Sequence, residues 1–257
     1  MQKGAWIRNL GRRIADGSLP LHEAAGFAVA RYARGRTSVV MEGLRFNGVD
    51  HVLWSALADV FVNRVYSPPG MHIVGKQTVV DIGAHRGSFT AFAARRTTGT
   101  VLAYEPEPEN YASLRNLVAS NSLRNVHACN VAVGGYTGNA VLHLSKSSSR
   151  HSLTRSAMPQ EEAGGDIPIK LITLEDSLAS LGPIDLLKMD CEGAEAEILM
   201  KASDATLENI RSLAAETHYP IRSDTMRAMQ AVLKRHFSKV IVVDQGQQDL
   251  GYLYAWK

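Results

Sequence analysis

Acidic and histidine side chains stand at the ends of several strand-like segments of this 257-residue chain. They are Asp81 after residues 78–80, Glu105 after 101–104, Asp190 after 184–189, and Glu216 with His218 after 211–215. Because parallel strands bring their carboxyl ends to one edge of a sheet, we expect these groups to surround one ligand site. Carboxylates and imidazoles accept hydrogen bonds from hydroxyls and can remove a proton from them.

A glycine turn follows the first of these segments. The sequence from Asp81 reads DIGAHRG, and a helical pattern begins at Ser88. A dinucleotide site needs a second glycine where His85 stands, and a phosphate-binding P-loop needs a lysine where Ser88 follows Gly87. The remaining pattern, D-x-G-x-x-x-G, is typical of S-adenosylmethionine (SAM) sites. We therefore predict that Asp81, Gly83, His85 and Gly87 form a SAM-binding turn.

The following strand ends complete the predicted cofactor site. Glu105 lies 24 residues after Asp81, close to the spacing at which an acid binds ribose in such sheets. Its carboxylate can accept hydrogen bonds from both ribose hydroxyls. Asn130 ends the third strand, at the position that meets adenine, and we predict that it binds the base. Asp190 is expected to face the methyl-bearing sulfur.

The methyl acceptor is predicted from motifs that the fourth strand end lacks. Enzymes that methylate amino groups of nucleobases and glutamines carry [ND]-P-P-[YF] there, whereas this chain reads MDCEG from Met189. The Pro-Cys nucleophile of cytosine-C5 enzymes is missing too, because Asp190 precedes Cys191. Carboxylates and histidines suit a hydroxyl instead, since its proton must leave as the methyl group arrives. The residues favour O-methylation.

Two ways of removing that proton stay open. Asp190, Glu216 and His218 could hold one divalent cation (Mg²⁺, or Mn²⁺ or Zn²⁺ because of the imidazole), which would bind two hydroxyls and lower the pKa of one. In the metal-free alternative, Glu216 orients His218 as a general base. His151 is another candidate base, because it lies in a segment without apolar periodicity, residues 145–166, that we interpret as a substrate loop.

Strand and helix patterns alternate along most of the chain. We predict central strands at 78–82, 100–105, 125–130, 184–189 and 211–215, a final antiparallel pair at 240–243 and 251–256, and a hairpin at 140–144 and 167–171. This order predicts an α/β fold, a doubly wound Rossmann-like sheet of seven strands.

The chain before the first central strand is predicted to be mainly helical. Residues 1–36 read as two short helices and residues 52–66 as one amphipathic helix. We predict a helical N-terminal extension at residues 1–70, acting as a cap over the cofactor or as a homodimer surface. Residues 71–257 then form the SAM-dependent methyltransferase domain.

Composition limits the compartment and the partners. No apolar run approaches the length of a membrane span, and the N-terminus lacks the apolar stretch of a secretory signal. Cys129 and Cys191 make neither a disulfide framework nor a metal spacing, so a cytoplasmic protein is expected. Residues 1–36 carry seven basic side chains against two acidic ones, but the net charge is only +3. We predict a small-molecule or oligosaccharide substrate and no nucleic-acid partner.

Six stretches together resemble the FkbM family of SAM-dependent methyltransferases. They are DIGAHRG from Asp81, YEPEPEN from Tyr104, HSL from His151, TLEDSL from Thr173, KMDCEGAE from Lys188, and E-x-H from Glu216. The resemblance covers residues 50–257 and implies a class I methyltransferase fold. It also implies O-methylation of a saccharide hydroxyl, with a polyketide-type metabolite as the alternative and RNA as the least favoured substrate. His85-Arg86 departs from the family, which more often has Asn and a small or apolar residue.

Overall fold

A computed structural model describes residues 5–32, 37–75, 77–145, 151–153, 163–247 and 250–257. Its helices are α1 (Ala5–Ala15), α2 (Leu21–Ala30), α3 (His51–Leu57), α4 (Ser88–Arg96), α5 (Pro108–Ser120), α6 (Leu174–Leu178), α7 (Glu195–Lys201), α8 (Asp204–Glu208) and α9 (Asp224–His236). Its strands are β1 (Thr37–Met41), β2 (Leu44–Val49), β3 (Val79–Ile82), β4 (Val101–Tyr104), β5 (Val126–Cys129), β6 (Ala132–Gly134), β7 (Gly138–Ser145), β8 (Ala163–Thr173), β9 (Leu186–Met189), β10 (Ser212–Thr217), β11 (Lys239–Gln247) and β12 (Leu250–Trp256). Within these ranges, every helix falls short of the length and apolarity that a membrane span requires.

A seven-stranded sheet with the order β11-β12-β10-β9-β3-β4-β5 forms the centre of the molecule. Five neighbouring strands from β5 to β10 run parallel, and β12 is antiparallel to both β10 and β11. The chain first winds outward from β3 through β4 to β5, and later returns to the other side of β3 with β9. This reversal opens a crevice at the carboxyl ends of β3 and its neighbours. The predicted doubly wound fold is confirmed.

The residues of the central strands face two different hydrophobic cores in alternation. Val79 packs into the core beneath the N-terminal segment, and Val80 packs into the core on the opposite face. Because side chains alternate along a strand, Asp81 points to the same face as Val79. The same alternation brings Lys188 of β9 and Glu216 of β10 to this face. Three of the charged residues therefore meet under the N-terminal segment.

The N-terminal segment packs directly on the sheet. Trp54 stacks on Phe27 with 4.7 Å between ring centroids, and Trp6 meets Trp54 edge-on at 5.2 Å. These aromatic side chains belong to the same buried core as Phe89 and Phe92 of α4. Burying each such side chain contributes about 1.5–3 kcal/mol to folding. The predicted division at residue 70 therefore does not coincide with a boundary between cores.

The predicted helix over residues 52–66 is present as far as Asn63, but the type of helix changes along it. The α-helix α3 ends at Leu57, and π-helical turns follow over Ala58–Asn63. Val60, Phe61 and Val62 are all buried there. In a regular α-helix three consecutive residues fan over more than half of the circumference, so the wider turns allow all three to face the core. Arg64 then ends the helix in the left-handed conformation with φ 58°.

A second sheet of three strands, β6-β8-β7, lies beside the central one. It contains the predicted hairpin, with Ala140 opposite Ile169 and Leu142 opposite Ile167. Its strands are longer than predicted, because β8 already begins at Ala163, inside the segment that we had assigned to the substrate loop. The sequence did not predict β6, which pairs in parallel with β8, because three residues are too few to show a hydrophobic period.

Candidate active site

An open cavity of about 2710 Å³ lies at the carboxyl edge of the central sheet. Of the predicted site residues, its walls contain Gly83, His85, Glu105, His151, Asp190, Glu216 and His218. Residues of the N-terminal segment close the other side, among them Asp59 and Tyr66. Pockets for a single small ligand usually measure about 300–1,000 Å³. The cavity therefore has room for two ligands side by side.

The turn after β3 requires glycine at two positions. Gly83 has φ +75°, and a Cβ atom there would lie 1.8 Å from the Asp190 carbonyl oxygen. Gly87 has φ +88° at the start of α4, and a Cβ atom there would lie 2.6 Å from Leu114 Cδ1. Only glycine adopts these angles freely and permits such close approach. Gly83 lies on the cavity wall, whereas Gly87 lies behind it and shapes the entry into α4.

Glu105 binds the glycine turn to the next loop. Its Oε2 accepts a hydrogen bond of 2.7 Å from the His85 amide, and its Oε1 accepts one of 2.9 Å from the Glu107 amide. Burial raises the pKa of Glu105 to about 7, although these two amide hydrogen bonds act in the opposite direction. Each carboxylate oxygen accepts more than one hydrogen bond, so Glu105 can still bind hydroxyls from the cavity.

His85 faces the cavity as a neutral ring. Its backbone has φ 51°, the left-handed region, as the turn requires. Burial and the nearby charge of Arg86 lower the pKa of His85 to about 4. The ring therefore adds no positive charge to this part of the wall at neutral pH.

Asp81 is fully buried and lies outside the cavity wall. Its Oδ1 lies 2.9 Å from Lys188 Nζ, and its Oδ2 accepts a hydrogen bond of 2.6 Å from Thr90 Oγ1. The carboxylate thus joins β3 to β9 and to α4. The predicted direct contact between Asp81 and the cofactor does not agree with this placement, and we assign Asp81 to anchoring the turn.

Asn130 is also placed differently from the prediction. Its Nδ2 donates hydrogen bonds to the carbonyl oxygens of Glu105 and Pro106, at 2.9 and 3.0 Å, and the residue is not on the cavity wall. An asparagine amide readily satisfies backbone carbonyls in turns. The side chain therefore holds the loop after β4 in place, and the predicted contact with adenine is not supported.

Lys188 is a site residue that our sequence reasoning missed. Its buried Nζ donates to the Gly83 carbonyl oxygen at 2.7 Å and lies 3.9 Å from Asp190 Oδ2. Burial alone would lower the pKa of Lys188, but the carboxylates of Asp81 and Asp190 outweigh burial and raise it. A lone lysine in the apolar strand LLKM could have signalled a buried ion pair, because a buried charge needs a partner.

Two acids from neighbouring strands meet at one hydroxyl group. Tyr66 Oη lies 2.9 Å from Asp190 Oδ2 and 2.8 Å from Glu216 Oε2. Burial and the negative charge of Asp190 raise the pKa of Glu216. No local pattern around Tyr66 indicates this contact, since the tyrosine and the acids are more than 100 residues apart.

His218 is held between two glutamates. Its Nδ1 lies 3.2 Å from Glu195 Oε1, and its Nε2 lies 3.4 Å from Glu192 Oε2. Burial lowers the pKa of His218, but the hydrogen bond and charge of Glu195, together with Glu192, raise it to about 10. The ring is therefore a cation at neutral pH. This arrangement does not favour the predicted role of His218 as a general base, because a protonated imidazole has no lone pair to offer.

The predicted metal-binding trio is wrong in one member. Among the described residues, Asp190, Glu192 and His218 have donor atoms that all lie within 4.8 Å of one another. Glu216 is not in this group, because it faces Tyr66 instead. His218 is a cation beside Glu192, and burial raises the pKa of Glu192 to about 8, so a divalent ion would have to displace protons from this group. The donor set therefore does not fit a resident metal in its present protonation state.

His151 lies on the cavity wall, but its orientation does not favour the role of a base. Its Nδ1 accepts a hydrogen bond of 3.0 Å from the Ser145 amide, so the neutral ring carries its proton on Nε2. Ser152 pairs with His143 through two backbone hydrogen bonds of 2.9 and 3.0 Å, which fixes the segment. The rest of the predicted substrate loop, 146–150 and 154–162, lies outside the described residues.

Comparison with known proteins gives the family. The model of the methyltransferase FkbM domain matches residues 81–243. The chain is 28% identical over 188 residues to the 31-O-demethyl-FK506 methyltransferase FkbM of Streptomyces tacrolimicus, which covers 62% of this chain and 72% of the relative. It is 26% identical over 244 residues to the AMB antimetabolite synthetase AmbE of Pseudomonas aeruginosa, which covers 78% of this chain but 11% of the synthetase.

A solved structure shows the same fold. The methyltransferase FkbM from Methylobacillus flagellatus KT has a TM-score of 0.50 and 14% identity, covering 91% of this chain and 59% of that one. At this identity the likeness concerns the fold alone. The match of the FkbM domain model over more than half of the chain shows that this protein belongs to the FkbM family of methyltransferases.

Proposed function

We propose that this protein transfers a methyl group from SAM to a hydroxyl group of a saccharide. The arrangement of Asp190 and Glu216 carries the proposal. Both carboxylates lie on the cavity wall and within 3 Å of the same protein hydroxyl, Tyr66 Oη, so this part of the wall is suited to binding hydroxyl groups. Sugars present several hydroxyls, and carboxylates are their natural hydrogen-bond acceptors. Transfer to oxygen is supported by the name of the Streptomyces relative. The same name favours a polyketide-type hydroxyl as the second candidate.

The residues of the glycine turn fit the methyl donor. SAM, when bound, supplies a methyl group on a positively charged sulfur. Glu105 offers a carboxylate on the cavity wall for the ribose hydroxyls, and Gly83 leaves the backbone open to close approach. His85, neutral at its lowered pKa, does not repel a positive charge. In this proposal Asp81, Gly87 and Asn130 shape the turns and do not touch the ligand.

Asp190 is the carboxylate that we assign as the general base. His218 is protonated, the Nδ1 of His151 already accepts a hydrogen bond, and the pKa of Glu216 is raised. The ammonium group of Lys188 lies 3.9 Å from Asp190 Oδ2, so a positive charge faces this carboxylate. Asp190 then takes the proton of the acceptor hydroxyl while the hydroxyl oxygen becomes an ether oxygen. No acid is needed, since the departing thioether is neutral.

Methyl transfer is expected to be unchanged by a chelator. The His218 cation lies between Glu192 and Glu195, and burial raises the pKa of Glu192 to about 8, so these acids already have a cationic partner without a metal. Turnover of the purified protein should be compared in EDTA and after addition of Mg²⁺, Mn²⁺ or Zn²⁺. A loss of turnover in EDTA that one of these ions restores would show that a metal displaces the His218 proton.

Replacing Glu105 with glutamine is expected to weaken SAM binding by about 10- to 100-fold, because hydrogen bonds to a charged group contribute about 1.5–3 kcal/mol. In the unaltered protein, affinity should fall as the pH drops below the Glu105 pKa of about 7, since the ribose hydroxyls prefer the ionised carboxylate. Calorimetry above and below that pH tests both points. Glu109→Gln, an exposed change on α5, is the matched control. If the SAM affinity of the Glu105→Gln variant depended on pH as strongly as that of the unaltered protein, the assignment of Glu105 to ribose binding would be contradicted.

Labelled SAM offered with separate panels of acceptors tests the proposed function. One panel holds oligosaccharides and glycolipids, a second holds polyketide hydroxyls, and a third holds RNA. Label in an ether on a sugar oxygen supports the proposal. Label only in the polyketide panel supports the second candidate, and label only in RNA, or on nitrogen, would reject both.

A further inference from the structure

Tyr66 reaches the site from outside the part of the chain that the family model matches, residues 81–243. Its ring is only 5% exposed and packs edge-on against Phe89 and Tyr252, with centroids 5.5 and 6.0 Å away. Lys188 Nζ lies 5.3 Å from the ring centroid. Packed on several sides, the ring holds its hydroxyl group in one place.

The preceding residue, Val65, is anchored to β12, the strand next to the edge strand β11. Tyr254 Oη, on β12, donates a hydrogen bond of 2.6 Å to the carbonyl oxygen of Val65. On the other side, Ser67 Oγ donates to the Met71 carbonyl oxygen at 2.7 Å and closes a turn. The backbone on both sides of Tyr66 is therefore tied down, as a group that must aim a hydrogen bond requires.

A count of hydrogens sets a limit on the contact between Tyr66 and the two acids. The phenol has one hydrogen to donate, but carboxylate oxygens lie within hydrogen-bond distance on two sides. Two ionised carboxylates cannot both be satisfied by that one hydrogen. The second contact becomes a hydrogen bond if one carboxyl is protonated and donates to the phenol oxygen. Lys188 Nζ lies 3.9 Å from Asp190 Oδ2, and this neighbouring positive charge makes Asp190 the partner toward which the phenol hydrogen points.

We propose that Tyr66 is a positioning residue for methyl transfer: it donates its one hydrogen to Asp190 Oδ2, while Glu216 Oε2 lies on the other side of the phenol oxygen. Asp190 is thereby held by one oxygen and offers the other to the acceptor hydroxyl. This inference rests on the proposed function, in which Asp190 is the base. It makes the N-terminal segment part of the active site, beyond any role as a cap.

Removing only the hydroxyl tests the role of Tyr66. Tyr66→Phe keeps the ring contacts, and we expect kcat to fall about 10-fold, as for loss of one hydrogen bond to a charged group, with KM and SAM affinity unchanged. In an Asp190→Asn background, the same change should have little further effect on kcat. Tyr111→Phe, which removes a hydroxyl that donates to the Ala128 carbonyl oxygen, is the matched control. An unchanged kcat in Tyr66→Phe, or an equal loss in both backgrounds, would overturn the inference.

Thermal unfolding separates this inference from the proposed function, because it needs no acceptor. Tyr66→Phe is expected to lower Tm by about 2–4 °C in the unaltered protein, and by much less in a variant with both Asp190→Ala and Glu216→Ala. Absence of methyl transfer in the unaltered protein, with this coupling present, would reject the proposed function and leave the hydrogen-bonded arrangement supported. Equal Tm shifts in the two backgrounds would overturn the arrangement itself.

Discussion

Replacing Lys188 with methionine is expected to destabilise the protein by about 3–5 kcal/mol, because it leaves a buried carboxylate without its counter-charge. Asp81 is fully buried, and its Oδ1 lies 2.9 Å from Lys188 Nζ. The Gly83 carbonyl oxygen loses its donor in the same change. Urea unfolding of the purified variant measures the loss, and SAM affinity should fall with it because the glycine turn is no longer held.

A surface lysine provides the control for this experiment. Lys201 pairs with Glu197 at 2.8 Å, but both side chains are about half exposed. Lys201→Met is expected to cost less than about 1 kcal/mol, since water already solvates the remaining carboxylate. Adding Asp81→Asn to Lys188→Met should recover part of the stability by removing the unpaired charge. Similar losses for the two lysines would contradict the buried ion pair.

The second large effect is expected in catalysis. Asp190→Asn should lower kcat by about 10²–10⁴-fold, the usual contribution of a general base. Asparagine has the same shape, and its side-chain oxygen can still accept the Tyr66 hydroxyl hydrogen. KM and SAM affinity should therefore change little. Steady-state kinetics with the best acceptor, beside calorimetry with SAM, checks this separation.

The control and the competing assignment can be tested in the same assay. Asp224→Asn, a change at the exposed start of α9, should leave kcat unaltered. His218→Gln should lower kcat less than Asp190→Asn, because His218 is a cation held between Glu192 and Glu195 and is not the base in our assignment. A larger loss in His218→Gln, with Asp190→Asn nearly active, would return the role of base to the histidine.

Local patterns were sufficient for the elements that carry most of the sheet. The glycine turn was predicted because a backbone position with positive φ and no room for a Cβ atom requires glycine. Gly83 and Gly87 are such positions. The alternation of strands and helices was predicted from the spacing of apolar residues, because strands and helices each have their own hydrophobic period. The change of helix type within residues 52–66 was not predicted, because their apolar pattern does not distinguish an α-helix from one that widens into π turns.

Such local patterns could not predict the direction in which a side chain points. Asn130 and Asp81 stand at strand ends, where ligand-binding residues are common, but each turns toward the protein and binds its own neighbours. The protonation of His218 likewise depends on Glu195, a residue of α7 that no spacing rule connects with it. A position at the edge of a sheet therefore predicted proximity to the site but not the role of the residue.

By itself, the sequence determined the doubly wound sheet, the turn for the methyl donor and the set of acids at its edge, because short-range periodicity and backbone geometry encode them. Our assignment of Asp190 as the base depends on the tertiary structure alone. That assignment depends on Tyr66, which is 124 residues from Asp190 and 150 from Glu216, and on the buried charge of Lys188. Hydrogen bonding and burial between such distant residues exist only once the chain has folded.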